Sequence, residues 1–142
     1  MSRIIGIDYG KVRTGLAITD ALGITAQGLE TIISNGNDKI ILKRLAELVE
    51  EYEIDKFVIG NPINMVGTES DRSRETRDFI HKLKSRFNAI EVISVDERLT
   101  TVEAHKTMNI LNINKHKKKQ LVDTISAVYI LENYINKAKS EK

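Results

Sequence analysis

Three acids stand where their neighbours argue against them. Asp8 interrupts the apolar run "IIGIDYG", Ile4 to Gly10. Glu97 comes directly after "EVISVD", Glu91 to Asp96. Asp123 lies in "QLVDTISAVYIL", Gln120 to Leu131, an almost wholly apolar segment in which it shares a helical face with Ala127 and Ile130. An unpaired ionised carboxylate costs several kcal/mol to bury, so each acid needs a partner. Carboxylates also repel one another, and a cluster of them calls for cations. Mg2+ or Mn2+ suits such a cluster, because both prefer oxygen ligands and keep several waters. Two such ions about 3.5–4 Å apart activate a water and stabilise the leaving oxygen in phosphodiester hydrolysis. Metal-assisted hydrolysis of a phosphodiester is therefore the chemistry expected of Asp8, Glu97 and Asp123. Taken singly, each acid also reads as a helix cap, a salt-bridge partner or an edge residue, and Asp96, beside Arg98, is read that way.

A phosphodiester substrate needs positive partners. Arg72, Arg74 and Arg77 open a helix just after a loop, where an anionic backbone can rest on them and on the helix N-terminus. Their alternative is a solvated face paired with Glu75 and Asp78. "KHKKK", Lys115 to Lys119, brings Lys115, Lys117, Lys118 and Lys119 together with no acid among them. Like charges in sequence are costly to hold close, which makes this run a phosphate candidate; its alternative is a solvated connector. Aromatic residues are only 5% and tryptophan is absent, so an extended base-stacking platform is not expected. Recognition by shape and backbone is. His81, His105 and His116 do not form a metal-spaced set.

These side chains need a scaffold. Residues 3–9 read as a buried strand, Arg13 to Asp20 as a second and Ile24 to Ile33 as a third, with links short enough for antiparallel hairpins. Ile41, Leu45, Leu48 and Tyr52 then recur at helical spacing behind Asn37 and Asp38, which offer cap chemistry. Lys56 to Gly60 is a short strand. Asn61 to Ser70 is a loop holding the only proline, Pro62. Thr68 to Asp71 resembles a capping box opening a helix over about Asp71 to Phe87. Glu91 to Val95 is a strand, and Thr100 with Glu103 opens a third helix. The lysine run breaks the pattern, and a last helix covers about Gln120 to Lys137. The expected product is an α/β domain over residues 1–142: a five-stranded mixed sheet with helices on both faces. Parallel crossovers bring the C-terminal strand ends to one edge, so Asp8 and Glu97 can meet there with the last helix across them.

The 142 residues suit a single domain with a real core. No cysteine is present, which excludes a disulfide framework, a thiolate zinc site and a cysteine nucleophile, and favours the cytoplasm. No apolar run nears the roughly 20 residues that cross a bilayer, so no membrane partner is expected. The net charge of +2 does not by itself announce a nucleic-acid binder.

Four blocks, "GIDYGKVRTGLAITD", "GNPINMVGTES", "VDERLTTVEA" and "DTISAVYILENYI", resemble in order the motifs of the YqgF (RuvX) family. They spread over nearly the whole chain. The resemblance implies a ribonuclease-H-like fold and an activity as a Holliday junction resolvase or as a nuclease processing the precursor of 16S ribosomal RNA. It places the family's acids on Asp8, Glu97 and Asp123, and marks Arg13 and Arg98 as motif positions. One departure is Val66, which stands where the loop block often carries an acid. The expected function is a metal-dependent endonuclease trimming the 5′ end of pre-16S RNA, with ribosome association. Junction resolution, or a non-catalytic assembly role on the same basic surface, are the alternatives, and monomer or homodimer stays open. "GIDYG" also resembles the phosphate loop of actin-like ATPases and sugar kinases, but a chain of 142 residues cannot supply their two large lobes.

Overall fold

Isoleucine at positions 4, 5 and 7 makes Arg3–Asp8 a strand, β1, whose last four residues are all buried. Branched side chains crowd a helix but fit a pleated surface. In the computed structural model, which describes residues 2–61, 71–96 and 115–140, β1 pairs antiparallel with β2 (Arg13–Thr19) and parallel with β4 (Ile54–Asn61). β3 (Ala26–Ile33) pairs antiparallel with β2, and β5 (Glu91–Asp96) lies parallel to β4. The sheet has five strands in the order β3-β2-β1-β4-β5, mixed as the short hairpins and long crossovers imply.

Helices cover both faces. α1 (Asp38–Tyr52) starts where the Asn37 side chain accepts the Lys39 backbone N–H. With α2 (Asp71–Arg86) it packs Leu45, Leu48, Phe79 and Leu83 against Ile5, Ile7 and Phe57. The last helix, α3 (Lys115–Ser140), packs Ala127, Ile130 and Leu131 against Ala17 and Val58 on the opposite face. Alternation along β1 sorts these contacts: Ile5 and Ile7 face α1 and α2, and Gly6 faces α3.

Gly6 has a steric reason. A Cβ there would stand 2.9 Å from the Ala127 carbonyl oxygen and 3.0 Å from Leu131 Cβ. Its cross-strand neighbour is Ala17, whose own neighbour is Gly28. This row of small residues lets α3 lie close on the sheet.

Several boundaries differ from the sequence reading, three of them in α3 and β3. The lysine run does not break the last helix: Lys115 to Lys119 form its first residues. Lysine is a good helix former, and a run of like charges does not stop a helix that an apolar face anchors further on. The helix also runs on to Ser140 rather than ending near Lys137. β3 starts at Ala26, because Ile24 is taken into a turn in which its N–H donates to Asp20 Oδ1 at 2.8 Å. Asn61, read as the first residue of a loop, instead ends β4, paired with Asp96; the rest of that expected loop, 62–70, and the helix expected from Thr100 lie outside the described residues. Among the described residues no helix is long and apolar enough to cross a membrane.

Candidate active site at the carboxyl edge of the sheet

Asp8 closes β1, pairs with Gly15 and is only 7% exposed. By alternation it lies on the face that α3 covers. α3 runs antiparallel to β1. Tyr134 meets Lys56, the register partner of Ile4, while Ala127 and Leu131 meet Gly6. Asp8 is two residues beyond Gly6, about 6.6 Å along the strand. Asp123 occupies the α3 position one turn before Ala127, about 6 Å along the helix. Both steps run toward the same edge, so strand and helix bring the two positions to one level. On the other side, the backbone of Asp96 pairs with Asn61 where β4 and β5 end. Glu97 follows in the chain; it and Arg98 lie outside the described residues.

A cation from α2 reaches the buried acid. Arg72 Nη2 donates to Asp8 Oδ1 at 3.3 Å, with the arginine side chain 51% exposed and the aspartate side chain 8%. Arg74 and Arg77, on the same helix, are exposed. Arg13 is half-buried at the start of β2, after a turn that admits no side chain at Gly10: a Cβ there would fall 2.1 Å from the Arg13 carbonyl oxygen. Lys115, Lys117, Lys118 and Lys119 sit at the N-terminus of α3, with no acid in the first turn. Cations oppose the helix dipole at that end, and a bound anion would relieve the conflict.

A second network was not foreseen from the sequence. Tyr9 Oη donates to Asp38 Oδ1 at 2.7 Å, and Lys82 Nζ lies 2.9 Å from Asp38 Oδ2. The Tyr9 ring stacks on Phe79, centroids 4.4 Å apart. Burial, then the Asp38 hydrogen bond, holds the Tyr9 phenol well above its ordinary pKa, so it stays a donor. The network ties the residue after Asp8 to the start of α1 and to α2. Tyr9→Phe is expected to cost about 1 kcal/mol, the net worth of one buried hydrogen bond, with the fold otherwise intact. A denaturant titration that shows no change in midpoint would remove this role. A cavity of about 580 Å³ lies beside the same network, lined by Lys39, Leu42, Lys82 and Arg86 among others, but it does not contain Asp8.

The oxygen chemistry at the edge fits a hard divalent ion. Asp8 offers a carboxylate held rigidly on a central strand, and the Asn61 Oδ1 atom, at the end of the neighbouring strand, is buried without a hydrogen-bond partner among the described residues. Among the described residues no histidine or sulfur donor, which would select zinc or copper, accompanies them. Among the described residues no three acidic or histidine side chains converge; Asp8 is the expected ligand whose side chain is described.

The family model described as "RuvX: Holliday junction resolvase" matches residues 2–137. A protein of Acetivibrio thermocellus carrying the name "Putative pre-16S rRNA nuclease" is 52% identical over 94% of this chain and 95% of its own. Among solved structures, the fowlpox virus resolvase in complex with Holliday junction DNA superposes with a TM-score of 0.57 at 16% identity, covering 96% of this chain and 98% of that one. T. thermophilus RuvC with a Holliday junction substrate superposes at 0.53 and 15% identity, covering 89% and 92%. At that identity the two structures establish the fold, which is ribonuclease-H-like.

Proposed function

Because the chain belongs to the RuvX family, we propose that it is a divalent-metal-dependent nuclease that hydrolyses phosphodiester bonds of structured nucleic acid in the cytoplasm, with the 5′ end of pre-16S ribosomal RNA as its substrate. The observation that carries this reading is the placement of Asp8: a buried carboxylate at the C-terminal end of the central strand, level with the α3 position of Asp123. The name of the Acetivibrio thermocellus relative supports the RNA substrate.

In this reading Asp8, Glu97 and Asp123 hold Mg2+ or Mn2+. When bound, such an ion neutralises charge at the scissile phosphate and eases deprotonation of the attacking water. Asp8 contributes rigidity: its strand is paired on both sides, so the carboxylate does not reorganise during the reaction. Arg13 and Arg98 steady the scissile phosphate. Arg72, Arg74 and Arg77, with Lys115, Lys117, Lys118 and Lys119, carry the flanking backbone, which fixes register without reading sequence.

Phosphate contacts leave a measurable mark. Arg74→Ala and Arg77→Ala are each expected to weaken binding of all sequences alike and to lower the slope of log affinity against log salt by about 1. Equal slopes for wild type and both variants, from fluorescence anisotropy at several KCl concentrations, would take these residues out of the interface.

The test of function is incubation of the purified protein with a labelled pre-16S RNA and with a four-way DNA junction, each with Mg2+ or Mn2+. Cut RNA supports the proposal. A cut junction selects the resolvase reading, which the family description favours. Binding of either without cleavage under any metal selects a non-catalytic assembly role.

A further inference from the structure

We propose that Arg72 couples substrate binding to cation binding: it holds the Asp8 carboxylate until a nucleic-acid phosphate draws it away and leaves the carboxylate to the ion. This rests on the reading of Asp8 as a cation ligand. The geometry is that of an exchangeable contact. Arg72 Nη2 lies 3.3 Å from Asp8 Oδ1, whereas charge-assisted hydrogen bonds between such groups close to about 2.7–2.9 Å. The carboxylate is nearly enclosed, its side chain 8% exposed, so water is a poor substitute partner. The guanidinium is half exposed, at 51%, and can reach an incoming anion.

The backbone beneath it is fixed. Arg72 is the second residue of α2, and its carbonyl accepts a 2.9 Å hydrogen bond from the fully buried Thr76 hydroxyl. Exchange therefore needs only the side chain to move. The exchange also has a direction. A guanidinium and a divalent ion are like charges competing for one carboxylate, and a phosphate offers the planar guanidinium a bidentate partner. Glu75, on the next turn, is engaged at 3.7 Å by Lys11. Binding linkage then requires that phosphate and cation strengthen one another by the same factor.

The test measures binding rather than turnover. Mn2+ affinity of the metal-free protein is measured by calorimetry, and affinity for a short phosphorothioate RNA duplex by fluorescence anisotropy with and without Mn2+. The proteins are wild type, Arg72→Gln and Asp8→Asn. Wild type should bind the duplex about tenfold tighter with Mn2+, a typical coupling between sites. Arg72→Gln should bind Mn2+ about tenfold tighter than wild type in the absence of duplex, and should lose most of the Mn2+ effect on the duplex. Arg72→Lys, which keeps the charge without the fork, should fall between them and serves if the glutamine variant fails to fold. Unchanged Mn2+ affinity in the Arg72 variants, with binding still dependent on Asp8, overturns the coupling alone. Mn2+ binding that Asp8→Asn does not weaken overturns the cation reading of Asp8, and the coupling with it.

Discussion

Asp8→Asn is expected to lower cleavage by about 10³-fold or more while changing nucleic-acid affinity, measured with Mn2+ present, by less than about threefold. Ion-assisted phosphoryl chemistry draws several kcal/mol of charge stabilisation from the metal, and about 4 kcal/mol corresponds to roughly 10³ in rate. Asparagine keeps the shape and one oxygen but not the charge that attracts a divalent ion. Affinity survives because the proposed phosphate contacts other than Arg98 lie on α2, α3 and the first residue of β2. Stability should move the other way. Asp8 is 7% exposed, and its desolvation weighs against the folded state. Arg72 is 51% exposed, so water replaces its lost partner at little cost. The variant should therefore melt at or above the wild-type temperature. Turnover lost from a protein at least as stable is the mark of a residue kept for chemistry. Retained turnover in Asp8→Asn, or a loss that tracks a lower melting temperature, would remove Asp8 from the mechanism.

The elements were legible because each has a period of its own. Ile4, Ile5 and Ile7 demand a strand, and Ile41, Leu45 and Leu48 demand a helix. Asp8 could be nominated because an acid inside an apolar strand has few innocent explanations. Asp123 could be nominated for the same reason in a helix, and the level of its backbone at the edge follows from the antiparallel run of α3 over Gly6. Contacts between distant segments were not legible. Arg72 could be nominated as a phosphate ligand, but nothing local says that it meets Asp8, 64 residues away. Tyr9, Asp38 and Lys82 come from three separate segments, and their spacings of 29 and 44 residues carry no pattern. The lysine run misled because local charge was weighed against helix formation, whereas the apolar face from Ala127 onward decides it. Gly6 was passed over: an isolated glycine in a strand signals a close approach, but nothing in the sequence names what approaches.

That glycine supplies the second large effect. Gly6→Ala is expected to lower the melting temperature by up to roughly 10 °C. Two effects compete. Alanine narrows the unfolded ensemble and suits a strand better, which together favour the variant by about 0.4–1 kcal/mol. Overpacking a tight contact costs about 1–3 kcal/mol. The second wins here because the Cβ would stand 2.9 Å from the Ala127 carbonyl oxygen, which is backbone and cannot rotate aside. For a domain of this size each kcal/mol is worth roughly 4 °C. Gly28→Ala is the control: its Cβ would meet a side-chain atom, Thr124 Cβ, at 3.3 Å, and a smaller loss is expected. The same clash predicts a functional signature. α3 can relieve it only by lifting from β1, and the helix carries Asp123 away from Asp8 as it lifts. A misplacement approaching 1 Å between reacting groups can cost about 10² in rate. At a temperature where both proteins are fully folded by circular dichroism, Gly6→Ala should therefore still cleave more slowly than wild type, and Gly28→Ala less so. An unchanged melting temperature in Gly6→Ala, or a larger loss in Gly28→Ala, would show that α3 does not bear on the sheet at Gly6. Slower cleavage without that thermal shift would locate the defect in chemistry and not in packing.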